Sequence, residues 1–142
     1  MRSWYLRKRR SSRAMGQRLL TTWQALHPDP RLAHALHLAG AGALGPTLPI
    51  AFAGAAATGG ANRRGTAEAF AYTRVAATIS AAMRLMPIGQ GEAHAILART
   101  LDRVPAVVDG LLTRTSALES FVPAMDVASM TQQYLHSRLF RS

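Results

Sequence analysis

His34 and His37 stand one helical turn apart in the run Arg31-Leu-Ala-His-Ala-Leu-His-Leu38, a spacing at which two imidazoles could share a metal ion. No carboxylate or cysteine lies beside them. Two histidines alone make an incomplete nickel or zinc site, so they are weak metal candidates that read first as partly buried histidines of a helix face. Glu92-Ala93-His94 lacks the second histidine, four residues away, that a zinc-binding helix motif would need. Gly59-Gly60-Ala61-Asn62 is the one glycine-rich stretch resembling a phosphate cradle. It has no Gly-Lys-Ser/Thr ending and follows no strand, so it reads as a turn. The absence of cysteine excludes disulfides, thiolate metal sites and cysteine nucleophiles. The seven acids are scattered, and no serine or threonine is placed with a histidine and a carboxylate. No catalytic set emerges: the chain reads as a non-enzyme with no cofactor.

Charge is the next candidate for chemistry. The net charge of +10 invites a nucleic-acid reading, but seven of the 17 basic residues fall within residues 1–18, where there is no acid. Residues 19–142 carry a net of only +3. The charge belongs to an N-terminal arm, residues 1–11, in which Trp4 and Tyr5 are available for stacking. That arm could bind phosphates or acidic lipids; the favoured reading is a solvated, disordered terminus. Arg13 and Arg18 interrupt the place where the apolar run of a secretory signal would follow.

Elements must position these residues, and the most marked is a helix over 66–86. Thr66 is its expected cap, and Glu68 suits the positive end of its dipole. Tyr72, Val75, Ile79, Met83 and Met86 recur every three or four residues, and the other sides are mostly alanine. A helix apolar nearly all round is expected at the centre of a fold. Pro87 ends it, and Gly89 and Gly91 can supply the positive φ of a tight elbow into the next helix. Ser12 is the expected cap of an earlier helix reaching His27, with Met15, Leu19, Trp23 and Leu26 as its stripe. Residues 38–62 carry no charge and are long enough to span a membrane, but glycines and prolines break them repeatedly. A loop over 40–48 and a buried helix from Pro49 to about Thr58 are expected there instead. After the elbow, Ala93, Ile96, Leu97, Leu101 and Val104 mark one helix, and Pro105 can open another with Val108, Leu111, Leu112, Thr115 and Leu118 as its stripe. Gly110 weakens that helix, which suggests a packing constraint. Pro123 can open a last helix to about His136.

At 142 residues and 49% hydrophobic, with alanine and leucine prevailing over β-branched residues, the chain suits a single all-α domain. The reading is a helical bundle of about six to seven helices around the central helix, occupying residues 12–136. Residues 137–142 form a tail in which Arg138 and Arg141 flank Leu139 and Phe140, the composition of a docking peptide.

Four stretches together resemble a known family. The elbow Arg84-Leu-Met-Pro87-Ile-Gly89-Gln90 is similar to one in the urease accessory protein UreF family. So are Phe121-Val-Pro-Ala-Met-Asp126-Val-Ala-Ser-Met130, followed after seven residues by Arg138-Leu139-Phe140-Arg141-Ser142, and the opening Leu48-Pro-Ile-Ala-Phe-Ala53. Met15-Gly16 with Leu19-Leu20 resembles an earlier family helix. The chain departs at Thr131-Gln132-Gln133, where the family has Arg-His-Glu, and in the additional N-terminal helices of family members. It looks like the C-terminal part of such a protein. The resemblance implies a cytoplasmic urease maturation factor that scaffolds UreD-type and UreG-type partners with the urease apoprotein for nickel insertion. It implies a homodimer, with Tyr134, Arg138, Leu139, Phe140, Arg141 and Ser142 as partner-binding residues and Arg84, Pro87, Gly89 and Gln90 as a fold or dimer motif. The front helices that cover the central helix in the family lead us to expect an isolated chain that oligomerises, is poorly soluble or depends on a partner. Two other classes stand beside this reading: a small basic helical nucleic-acid-binding protein, and a membrane-associated protein built on residues 38–62.

Overall fold

A computed structural model of the protein describes residues 2–114, with side-chain surroundings from Arg10 onward. Within them the chain is all-α. Six helices follow in order: α1 (Arg2–Leu26), α2 (Pro30–Gly40), α3 (Leu48–Thr58), α4 (Arg63–Leu85), α5 (Gln90–Leu101) and α6 (Val104–Thr113). The expected last helix from Pro123 and the tail over 137–142 lie outside the described residues, as do Thr115 and Leu118.

The first helix starts earlier than the sequence suggests. Nothing between Arg2 and Met15 breaks a helix, and arginine, lysine and leucine propagate one well, so the expected arm over 1–11 is helical from Arg2 onward. Pro28 and Pro30 then divide α1 from α2. Asp29 between them is the α2 N-cap, its carboxylate accepting from the Arg31 N–H at 2.8 Å. The Asp29 N–H in turn donates to Gln24 Oε1 at 3.0 Å, which ties the end of α1 to the start of α2.

Ser12, expected to cap α1, sits inside it and serves a different helix. Its Oγ accepts the N–H of Leu48 at 3.0 Å. Leu48 opens α3, whose own N-cap Thr47 makes no side-chain capping bond. Eleven residues further along α1, the Trp23 indole N–H donates to Thr58 Oγ1 at 3.0 Å, at the far end of α3. Contacts that advance in the same direction along both helices mean that α1 and α3 run parallel, with α2 returning between them.

Small residues let these backbones approach. A Cβ on Gly16 would lie 2.1 Å from the Pro46 carbonyl oxygen, so only glycine fits at that crossing. Ala51 and Ala55 on α3 are buried, and Ala51 clusters with Leu20 of α1 and Leu32 of α2. Leu19, Trp23 and Leu36 pack around this cluster.

The second half assembles on α4, which packs against α3, α5 and α6. Asn62, not Thr66, caps it: Asn62 Oδ1 accepts the Gly65 N–H at 2.8 Å, one turn before the expected start. The Thr66 hydroxyl donates to the Asn62 carbonyl at 2.8 Å, so it braces the first turn from within. Phe52 of α3 meets Phe70 of α4 with ring centroids 5.3 Å apart. Ala93 of α5 and Val108 of α6 are the buried contributions of the last two helices.

The helix expected at the centre therefore has the expected neighbours but a different burial. No α4 residue is buried; Val75, Ile79 and Met83 are half-buried, while Tyr72 and Met86 are each 50% exposed. The buried cluster is instead built by α1, α2 and α3. Alanine explains the difference, because a helix side made of methyl groups is apolar by composition yet exposes little area that demands cover. No helix among the described residues is long and apolar enough to cross a membrane.

Candidate docking surfaces

The elbow after α4 takes its shape from Pro87. Met86 is held extended (φ −131°, ψ 151°), as a residue before proline must be, and its N–H donates back to the Ala82 carbonyl. The Ile88 N–H donates to the Met86 carbonyl at 2.8 Å, tightening the turn. Gly89 then stands as the α5 N-cap at φ −70°, ψ 157°, and its carbonyl receives the Ala93 N–H at 2.9 Å. These dihedrals correct the expected role of the elbow glycines. The positive-φ glycines among the described residues are Gly42 and Gly60, in the turns after α2 and α3. Among the described residues neither Gly89 nor Gly91 is crowded, since a Cβ at either would meet nothing within 4 Å. Proline with an extended preceding residue makes this bend without left-handed backbone.

What the elbow offers outward is apolar. Leu85 is 60% exposed beside exposed Arg84, and Met86, Pro87, Gly89 and Gln90 are exposed as well. The structure thus brings Arg84, Pro87, Gly89 and Gln90 together at one surface turn. Tyr134 and Arg138 through Ser142 lie outside the described residues, and the structure does not relate them to the elbow.

His34 and His37 are both exposed on α2, not partly buried as their place between apolar residues suggests. Among the described residues no three histidine, aspartate or glutamate side chains converge as a metal-binding group. His27 stacks on Trp23, with ring centroids 4.3 Å apart.

A second surface was not foreseen from the sequence. Between α4 and α6 lies an apolar groove of about 410 Å³, lined by Ala67, Phe70 and Ala71 on one side and Val104, Val107 and Leu111 on the other. Its floor includes buried Val108, while Val107 and Leu111 are 58% and 45% exposed. Arg64 bridges the two helices, donating to Glu68 Oε1 at 2.9 Å and to Asp109 Oδ2 at 3.0 Å. The readable signal was the apolar face of Val104, Val107, Val108 and Leu111 on α6, spaced i, i+3, i+4 and i+7. Among the described residues nothing constrains Gly110, because a Cβ there would meet none of their atoms within 4 Å.

The profile of one protein family, described as UreF, matches residues 7–101. Among curated proteins, the chain is similar to a protein of Polaromonas sp. (strain JS666 / ATCC BAA-500) named urease accessory protein UreF. The two are 29% identical over 148 residues, covering 100% of this chain and 62% of the relative. A protein of the same name from Methylibium petroleiphilum (strain ATCC BAA-1232 / LMG 22953 / PM1) is 36% identical over 98 residues, covering 68% of this chain and 41% of the relative. Another from Arthrobacter sp. (strain FB24) is 28% identical over 135 residues, covering 94% of this chain and 60% of the relative. The chain therefore spans between 41% and 62% of the length of these relatives. No solved structure matches significantly.

Proposed function

The chain belongs to the UreF family, and from that premise we propose that it is a cytoplasmic, non-enzymatic urease maturation factor acting through protein–protein contacts. The family match over residues 7–101 supports this reading, since it runs from within α1 to the end of α5 and includes the elbow. In this role the chain bridges a UreD-type and a UreG-type partner, and nickel is cargo delivered to the urease apoprotein.

Two regions supply the contacts. The elbow at Arg84, Pro87, Gly89 and Gln90 shapes a surface with exposed Leu85 and Met86 for self-association into a homodimer. The terminal Arg138, Leu139, Phe140, Arg141 and Ser142, with Tyr134, engage the partner proteins. Arginine and aromatic side chains suit that task, because a desolvated aromatic anchor and a multiply donating guanidinium dominate many interfaces.

The test is a pull-down of the UreD-type partner by this chain and by its variant with Arg138→Ala and Phe140→Ala. The wild type should recover the partner, and the variant should lose most of it while keeping its helical circular dichroism. Interface arginines and aromatics often cost about 2 kcal/mol or more on truncation. Equal recovery by both chains would remove the tail from the mechanism.

A further inference from the structure

We propose that the groove between α4 and α6 is a docking site for an amphipathic helix of a partner protein, one with an apolar stripe bracketed by carboxylates. The inference rests on the groove alone, independently of the terminal residues and of the elbow. Each wall has the same pattern. On α4, Arg63 precedes Ala67 by one turn, and Arg74 follows Phe70 and Ala71 by one turn. On α6, Arg103 at the N-cap precedes Val107 by one turn, and Arg114 at the C-cap follows Leu111. Both walls are apolar in the middle and arginine at both ends.

Among the described residues, no carboxylate pairs with this frame. Glu68 and Asp109, the carboxylates nearest the groove on these two helices, are both engaged by Arg64. None of the ion pairs among the described residues involves Arg63, Arg74, Arg103 or Arg114, and all four are exposed. Asp102 stands exposed beside Arg103 and leaves the balance positive.

The spacing selects the occupant's shape as well as its sign. The arginines of each wall are eleven residues apart, which on a helix is about 16 Å, or three turns. A helix laid along the groove with acids about three turns apart meets the arginines at both ends. Leucines between them at i, i+3, i+4 and i+7 fall against Phe70, Val107 and Leu111. Carboxylates at the rim add orientation and speed of encounter, and the apolar middle supplies the affinity. A lysine-bracketed helix of identical apolar stripe would bring like charges together and be rejected.

The experiment uses the full chain and two synthetic helical peptides of about four turns, identical in their leucine stripe and bracketed by glutamates in one and by lysines in the other. Fluorescence anisotropy at low salt should show the glutamate peptide binding at least about tenfold more tightly. Val107→Glu should abolish that binding. Arg103→Glu combined with Arg114→Glu should transfer the preference to the lysine peptide, a gain that a misfolded variant could not show. A benzophenone crosslinker placed at Val107 should label the glutamate peptide. Equal affinity for the two peptides would overturn the proposal. So would a crosslink to residues 115–142 of the same chain, or to a second copy, that the peptide fails to displace.

Discussion

The hydroxyl of Ser12 accepts the backbone N–H of Leu48 at 3.0 Å, so a residue in the middle of α1 caps the start of α3. The first N–H groups of a helix have no partner within it, and α3 meets that need from outside. Pro49 removes one donor, and Ser12 satisfies another. The bond fixes the register in which α1 and α3 lie side by side.

Ser12→Ala should therefore lower stability by about 0.5–2 kcal/mol, the range for loss of a helix cap. Urea unfolding should show the midpoint shifted with little change in slope, because the surface exposed on unfolding is nearly unchanged. A midpoint equal to that of the wild type would mean that water replaces Ser12 without loss.

Two glycines inside helices should respond to alanine with opposite signs. Gly16→Ala drives a methyl into the Pro46 carbonyl, where the nearest approach of the new Cβ is 2.1 Å. Overpacking of this kind costs about 1–3 kcal/mol, more than the roughly 1 kcal/mol that alanine returns in helix propensity. Gly110→Ala on α6 meets nothing within 4 Å among the described residues, so the propensity gain of up to about 1 kcal/mol should stand alone. Thermal melts of the two variants would separate these outcomes.

Asp29 sets a pH dependence. The Arg31 side chain, hydrogen-bonded to its carboxylate at 2.7 Å, is the main cause that holds its pKa down at about 2, below the ordinary 3.8. A depressed folded-state pKa stabilises the fold fully above the ordinary value, and that contribution fades as pH falls toward 2. Titration of the Asp29 carboxyl carbon by NMR should give a midpoint near the lowered value. In Arg31→Ala the midpoint should rise toward the ordinary carboxylate range.

The Arg64 bridge from Glu68 to Asp109 is exposed at Arg64 and Asp109 and half-buried at Glu68. Solvent screening should keep it small, so a double-mutant cycle between Arg64→Ala and Asp109→Ala should give a coupling below about 1 kcal/mol. A coupling of several kcal/mol would show that α6 is held to α4 chiefly by this charge and not by Val108 and Phe70.

The layout of helices was legible because proline and glycine punctuate it. Pro28 with Pro30, Pro49, Pro87 and Pro105 each mark a boundary within a residue or two of the observed one. What could not be read was which helix each polar residue serves. Ser12 carries a cap's chemistry, but its acceptor role belongs to a helix 36 residues later in the chain. Thr66 and Asn62 are both competent caps, and the choice of Asn62 turns on one backbone dihedral, ψ 169°. The groove was hidden for a related reason. The stripe of Val104, Val107 and Leu111 gains meaning only when Phe70 of α4 stands opposite it.

In the proposed role this chain joins two accessory partners, and the mass of the assembled species reports that joining. Purified UreD-type and UreG-type proteins would be mixed with and without the chain and examined by size-exclusion chromatography with light scattering. A species whose mass contains all three proteins should form only when the chain is present. Joint elution of the two partners in its absence, or a chain that elutes apart from both, would contradict it.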